Sequence, residues 1–199
     1  MENITTTTTT TTIVTITTIT PAAPYAKKFE LWLKAVGADR HTMEFCAARG
    51  FDPQTAFVDE LSTPNAFGLA GGIELPTECG KIVLEMAKVV AHLAATPALK
   101  DLIDGALKDA QSYLDKQTGA NCSKVWGLYW ANGLKDAAVY AAWAAGNATI
   151  NIEAYNINAV VKFAYKAAKG QPEVINKLDE LKNMLSKSVY NCLIEKLEK

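Results

Sequence analysis

A recurring helical pattern of apolar residues from Tyr25 to the C-terminus constrains this chain more than any other feature. Apolar side chains recur three or four positions apart, which places them along one side of an α-helix. The final run shows the pattern most clearly, because lysines and glutamates fill its other positions. Its apolar residues are Val174, Leu178, Leu181, Leu185, Val189, Leu193 and Leu197. The pattern predicts that residues 25–199 form a single all-α domain.

Residues that start or stop helices divide this domain into about seven to eight helices. Glycines that favour a helix end follow several apolar runs, at Gly37, Gly50, Gly146 and Gly170. Capping residues or prolines precede the runs, at Asp39, Asp52, Thr96, Asn121 and Pro172. Residues 62–76 contain several glycines and prolines, so they predict an irregular loop. The helices are therefore short enough to pack as a compact bundle.

The segment 121–145 combines large aromatic residues with many alanines and glycines. Trp126 and Trp130 are four residues apart and share a helix face, and Tyr140 and Trp143 follow three apart. Small residues allow neighbouring helices to approach closely, while aromatic rings fill the remaining space. We expect this segment to be the central helix of the bundle. Core packing is favoured over a ligand pocket as the role of its aromatic residues.

The N-terminus has a different character, because twelve of its first twenty residues are threonine. Threonine, isoleucine and valine are β-branched and form helices poorly, so this segment favours an extended conformation. Pro21 and Pro24 separate it from the domain, which defines residues 1–24 as an arm and linker. Two interpretations stay open: a disordered low-complexity tail, or a strand that pairs with another chain. In the second, the pairing residues are Thr5, Thr8, Thr11, Ile13, Val14, Ile16 and Ile19.

Charge and composition do not indicate a nucleic-acid-binding, membrane-spanning or exported protein. The formal net charge is -1, so a nucleic-acid partner is not expected. No stretch reaches the roughly 18 to 20 apolar residues of a membrane span, and the N-terminus does not have the charged start of a signal peptide. The four cysteines contain no closely spaced pair. They predict buried reduced thiols, with a disulfide only if the protein is exported.

The residues that commonly carry catalysis form no recognisable motif. The only histidines, His41 and His92, do not have neighbours that would complete a metal site. The glycine-rich stretch Gly68 to Gly72 matches no phosphate-binding pattern, and no serine stands in a G-x-S-x-G turn. We therefore predict a non-enzymatic protein with no catalytic residues, cofactor or metal.

Asparagines gather where the helix after Gly146 is predicted. Because asparagine is a mediocre helix former, such a cluster indicates side chains that bind other groups. The bound groups could belong to another helix of the same domain or to a partner protein. In the latter case the candidate partner face consists of Asn151, Asn156 and Asn158.

The order of features over residues 25–199 resembles an all-helical family of immunity proteins found in bacterial toxin loci and phage genomes. The resemblance lies in the Trp32 helix and in three stretches: CAARGFDPQTAFVDE (46–60), ALKDLIDGALKDAQSYLDKQTG (98–119) and LKDAAVYAAWAAGNA (134–148). It implies a bacterial or phage origin, a non-enzymatic protein-binding domain, and a location in the bacterial cytoplasm or a phage particle. The family is not expected to carry a polythreonine arm.

Three functional hypotheses follow. The first is an assembly protein, anchored through a β-forming arm to a larger complex such as a phage particle, or to another copy of itself. The second is an immunity-type protein that binds and neutralises a toxin. The third is an enzyme whose site has no recognisable motif.

Overall fold

The computed structural model describes residues 24–55, 75–116, 127, 136–150, 152 and 154–199. Helix is the dominant element of these residues, and no strand occurs among them, so the predicted all-α fold is confirmed. The helices are α1 Ala26–Ala35, α2 Arg40–Ala47, α3 Thr77–Val90, a 3-10 turn Ala91–Leu93, α4 Pro97–Lys116, α5 Ala137–Ile150, α6 Ala154–Ala167 and α7 Pro172–Glu198. The arm, most of the loop 62–76, and Trp126 and Trp130 lie outside the described residues.

The centre of the domain is formed by α3 and α5. The backbone N–H of Ala95 donates a hydrogen bond to Oδ2 of Asp136 at 2.7 Å, which ties the start of α5 to the turn before α4. At the opposite end of α5, a cavity is lined by Thr77, Leu114 and Ile150. Thr77 begins α3, Leu114 lies near the end of α4, and Ile150 ends α5. Helices α4 and α5 therefore run in the same direction and α3 runs against both. Helix α3 contacts α4, α5, α6 and α7, and α5 contacts α3, α4 and α6.

Helix α5 turns its smallest residues toward the core. Six of its alanines are at most 1% exposed: Ala138, Ala141, Ala142, Ala144, Ala145 and Ala148. Tyr140 and Trp143 lie on the outer side, half-buried, with their ring centroids 5.2 Å apart. The alanines allow the backbones of neighbouring helices to approach closely, as predicted for the central helix. The aromatic rings cover the outer side of α5 instead of filling its core face.

The predicted central helix, residues 121–145, differs from the structure at two places, while its start at residue 121 lies outside the described residues. The helix does not run unbroken from residue 121, because Asp136 is non-helical and caps α5 by accepting hydrogen bonds from the N–H groups of Ala138 and Val139 at 2.8 and 3.2 Å. It also does not stop at Gly146 but continues to Ile150. Gly146 is buried between packed alanines, so packing offsets its helix penalty of about 1 kcal/mol.

Several other predicted helix boundaries are confirmed. The Asp39 carboxylate accepts a hydrogen bond from the Thr42 N–H at 2.8 Å, and this bond lowers the pKa of Asp39. Thr96 accepts one from the Leu99 N–H at 3.3 Å. Gly37 and Gly170 end their runs with φ angles of 71° and 82°. Each boundary is local backbone chemistry, which explains why the residues alone were sufficient to place it.

Helix α7 packs on the core along one stripe and contacts the start of α1 near its C-terminus. Its predicted apolar stripe is buried from Leu178 to Leu197, with Val174 half-buried. Near its C-terminus, the Tyr25 hydroxyl donates to Oε1 of Glu198 at 2.7 Å, a bond that raises the pKa of Tyr25. The Lys28 ammonium donates to the carbonyl of Leu197 at 2.9 Å. The start of α1 is therefore fixed to the last turn of α7.

Candidate interaction surface

The two histidines of the chain lie on separate elements of the structure. His41 is exposed on α2 and His92 is exposed on the 3-10 turn. No group of three or more histidine, cysteine or carboxylate side chains is close enough to hold a metal ion among the described residues. Among the described residues, the candidates for a site are therefore surfaces and cavities rather than a metal cluster.

Two cysteines are fully buried thiols. Cys46 and Cys79 are both 0% exposed, and burial raises the pKa of each to about 11. The Cys79 thiol also donates to the Ser188 hydroxyl at 3.5 Å, across the contact between α3 and α7. Cys192 is half-buried, and Cys122 lies outside the described residues. Since the reactive form of cysteine is the thiolate, Cys46 and Cys79 behave as small core residues near neutral pH.

These two thiols should react slowly with a disulfide reagent such as DTNB at pH 8. Raising the pKa from 9.0 to about 11 reduces the thiolate fraction roughly 100-fold, and burial limits access further. In guanidinium chloride all four cysteines should react rapidly. Because the folded pKa values of these two thiols exceed the unfolded ones, the thiols should not affect stability below about pH 9 and should lower it as the pH rises toward 11. Fast labelling of Cys79 in the native protein would contradict this account.

A groove of about 580 Å³ runs between α3 and α4. The Lys88 ammonium donates hydrogen bonds to Oε1 of Glu85 at 2.5 Å and to Oε1 of Gln111 at 2.9 Å. The Gln111 amide in turn donates to Oδ1 of Asp115 at 2.9 Å. Lys88, Gln111 and Asp115 thus form a hydrogen-bonded row along the wall, which makes it a polar seam between two helices.

A smaller cavity of about 290 Å³ lies where α3 begins and α4 and α5 end. It is lined by Thr77, Tyr113, Leu114, Thr149, Ile150 and Ile152. Gly80 packs beside it: a β-carbon placed on Gly80 would lie 3.5 Å from Cδ1 of Ile152 and 3.6 Å from Cδ2 of Leu114. These are ordinary contact distances, so the space beside Gly80 admits a methyl group.

Replacing Gly80 by alanine should raise the free energy of unfolding by about 0.5 to 1 kcal/mol, because alanine loses less backbone entropy in a helix. The midpoint of urea unfolding measures this change. Gly37→Ala is the matched control and should lower the free energy of unfolding, since Gly37 has φ 71°, which strains a residue with a β-carbon. Destabilisation by Gly80→Ala would mean that the surroundings of Gly80 are tighter than these distances indicate.

The asparagines of the candidate partner face are not gathered on one side of α6. Asn156 and Asn158 are both half-buried, and two residues of helix separate their directions by about 200°. Asn151 lies outside the described residues. Asn147, at the end of α5, donates through its amide to the carbonyl of Trp143 at 2.9 Å, one helical turn earlier. Thr5, Thr8, Thr11, Ile13, Val14, Ile16 and Ile19 of the arm also lie outside the described residues.

The outer face of α6 is a surface that the sequence reasoning overlooked. It carries Tyr155, 68% exposed, followed by the exposed Lys162, Lys166 and Lys169. The signal was present in the sequence: lysines spaced four and three apart, with no carboxylate anywhere between residues 154 and 171. Lysine is common in helices and asparagine is rare there, so a row of lysines is a weaker sequence signal than a group of asparagines.

Comparison with known protein families, curated proteins and solved structures returns no match to this chain. The resemblance to immunity proteins therefore stays a prediction. Among the described residues, no helix is both long enough and apolar enough to cross a lipid bilayer.

Proposed function

We propose that this chain is a non-enzymatic assembly protein whose helical domain is held in a larger complex by its N-terminal arm. The observation that carries the proposal is that every residue from Ile4 to Thr20 is β-branched. β-Branched side chains lose rotamer freedom in a helix and fit well on a pleated strand. A segment of this composition is therefore suited to pairing with a strand, while the described domain is helical.

Strand addition would give the arm a large number of backbone hydrogen bonds. As a strand, residues 4–20 would extend about 55 Å at 3.3 Å per residue. The backbone supplies affinity in such pairing, and alternate side chains supply specificity. Threonine hydroxyls keep both faces of the arm polar, and the isoleucines and valine of residues 13–19 provide apolar contacts. The acceptor is the free sheet edge of a particle component or the arm of a second copy.

The joint between the arm and the domain favours the same role. Phe29 and Leu33 of α1 are 0% exposed, so α1 belongs to the core. Tyr25 and Lys28 bind the last turn of α7 through their side chains. The helix that follows the arm in the sequence is therefore held at both its core face and its N-terminal end. A docked arm would therefore be followed in the sequence by a helix that is fixed to the rest of the domain.

Co-sedimentation with the complex from which the protein is isolated tests this proposal. Deletion of residues 1–20 should lower the bound fraction at least tenfold, while circular dichroism of the domain stays unchanged. In the full chain, Thr8→Pro with Thr11→Pro should act similarly, because proline removes the backbone N–H that a ladder needs. Thr8→Val with Thr11→Val, the matched control, keeps β-branching and should bind nearly as the unaltered chain does. Unchanged co-sedimentation of the truncated protein would overturn the proposal.

The resemblance to immunity proteins favours one second candidate, a domain that neutralises a toxin by binding it. This candidate places the binding surface within residues 25–199 and gives the arm no part in it. The same truncation separates the two functions: a protein without residues 1–20 that still captures a soluble toxin supports inhibition and counts against assembly through the arm.

A further inference from the structure

Four residues of α6 form one outward stripe. At 100° per residue, Tyr155, Asn158, Lys162 and Lys166 fall within an arc of about 80°. Lys169 follows in the turn that ends the helix. Tyr155 and the three lysines are exposed, while Ile157, Val160, Val161 and Ala164 on the opposite side are buried. The stripe is thus clearly separated from the core face of the same helix.

The lysines of this stripe have no carboxylate available on their own helix. On other helices, several basic residues pair with a carboxylate three or four residues away on the same helix. These pairs are Lys34–Glu30, Arg40–Glu44, Lys81–Glu78, Lys88–Glu85, Lys100–Asp104 and Lys177–Glu180. Helix α6 contains no carboxylate. Within the described residues, no carboxylate lies within 4.0 Å of Lys162, Lys166 or Lys169.

Two acidic residues of α7 that lie near α6 do not pair with the stripe. Asp179 of α7 faces α6, but its Oδ1 accepts the hydrogen bond of the Tyr165 hydroxyl. Glu180, its neighbour, pairs with Lys177 at 2.8 Å on α7 itself. Asp179 and Glu180 therefore each have another partner, and neither lies within 4.0 Å of Lys162, Lys166 or Lys169.

Two of the ammonium groups are held in position by an aromatic ring. The Nζ atoms of Lys162 and Lys166 lie 5.7 and 5.8 Å from the ring centroid of Phe163, within the range of a cation–π contact. The Phe163 ring packs in turn on Tyr140 of α5, with centroids 3.9 Å apart. A platform anchored between two helices therefore restrains side chains that would otherwise sample many rotamers. Restraint before binding reduces the entropy that a partner must offset.

We infer that the outer face of α6 binds an acidic segment of a partner protein. Carboxylates one helical turn apart on the partner match the spacing of Lys162 and Lys166. An apolar side chain of the partner packs on Tyr155, since tyrosine is common at interface hot spots. The inference does not depend on the arm.

A protein fits this surface better than a nucleic acid or a lipid headgroup layer does. The stripe is only about 21 Å long at 1.5 Å per residue. The chain has a net charge of -1, with carboxylates on the neighbouring helix α7. An extended polyanion would meet those carboxylates beyond the ends of the stripe, whereas a short acidic segment would not.

Fluorescence anisotropy on the full chain tests the inference. The probe is a labelled 21-residue helical peptide with carboxylates at positions i, i+4 and i+7 and one leucine placed to meet Tyr155. Combining Lys162→Gln, Lys166→Gln and Lys169→Gln should weaken binding at least tenfold, and Tyr155→Ala about fivefold. The matched control combines Lys34→Gln, Lys81→Gln and Lys177→Gln, which removes the same charge from paired lysines and should change affinity less than twofold.

Three outcomes would overturn the inference. Equal loss in the two triple variants would mean that net charge alone attracts the peptide. Equal binding of a scrambled peptide of the same composition would mean that the spacing is irrelevant. Tighter binding of a 20-base-pair DNA duplex, or of phosphatidylserine vesicles, through the same three lysines would assign the surface to a different class of partner. Circular dichroism of each variant confirms that it is folded.

Discussion

Replacing Leu84 by alanine should lower the free energy of unfolding by about 3 to 4 kcal/mol, a large part of the stability of a domain this size. Leu84 is 0% exposed and lies in the middle of α3, the helix that contacts α4, α5, α6 and α7. Truncation there removes buried methyl groups and leaves a cavity that four surrounding helices cannot close without moving. Urea unfolding followed by circular dichroism gives the change in free energy.

Leu31→Ala is the matched control for this prediction. Leu31 is on α1 and is 57% exposed, so the same truncation removes little buried surface and should cost less than about 1 kcal/mol. If the two variants lost equal stability, α3 would not be the centre of the core. If Leu84→Ala lost less than about 1 kcal/mol, the packing around α3 would have to be much looser than its complete burial indicates.

The second large effect is expected from enlarging a side chain where α5 packs closely. Ala145→Leu should lower the free energy of unfolding by about 2 to 3 kcal/mol, since overpacking forces side chains from their preferred rotamers and shifts the backbone. Ala145 is 0% exposed in a helix covered by α3, α4 and α6. Thermal unfolding should show the same loss as a lower midpoint temperature.

Ala98→Leu serves as the control for Ala145→Leu. Ala98 is exposed on α4, and leucine and alanine have similar helix propensities, so this change should fall within about 0.5 kcal/mol of zero. Tolerance of leucine at residue 145 would mean that the alanines of α5 reflect helix propensity alone. Loss of stability at residue 145 only would show that they are needed for close helix packing.

Much of the fold could be predicted because its determinants are local. The turn at Gly37, the cap at Asp39 and the stripe of α7 each depend on residues within a few positions of one another, so spacing alone identified them. Gly146 shows the limit of such reasoning. It continues a helix because it is buried against its surroundings, which no residue close to it in the sequence specifies.

The candidate surfaces depend on information of a different kind. Lys162 and Lys166 face outward, without carboxylates nearby and close to the ring of Phe163. This arrangement depends on how α5, α6 and α7 pack. No pattern within α6 specifies that packing. The composition of the arm favours a strand. The backbone N–H and C=O groups of a strand must pair with those of another strand, and the sequence of the arm does not identify that strand. The identity of its partner therefore has to come from the complex.

Hydrogen exchange of backbone amides, compared between the free protein and its assembled complex, tests most directly whether the arm is the assembly element. The proposal predicts that amides of residues 4–20 become at least tenfold more protected on assembly, because strand pairing occupies them. Amides of α3 and α5 should keep the same protection in both states. Unchanged exchange of residues 4–20 on assembly, or equal protection before it, would contradict the proposal.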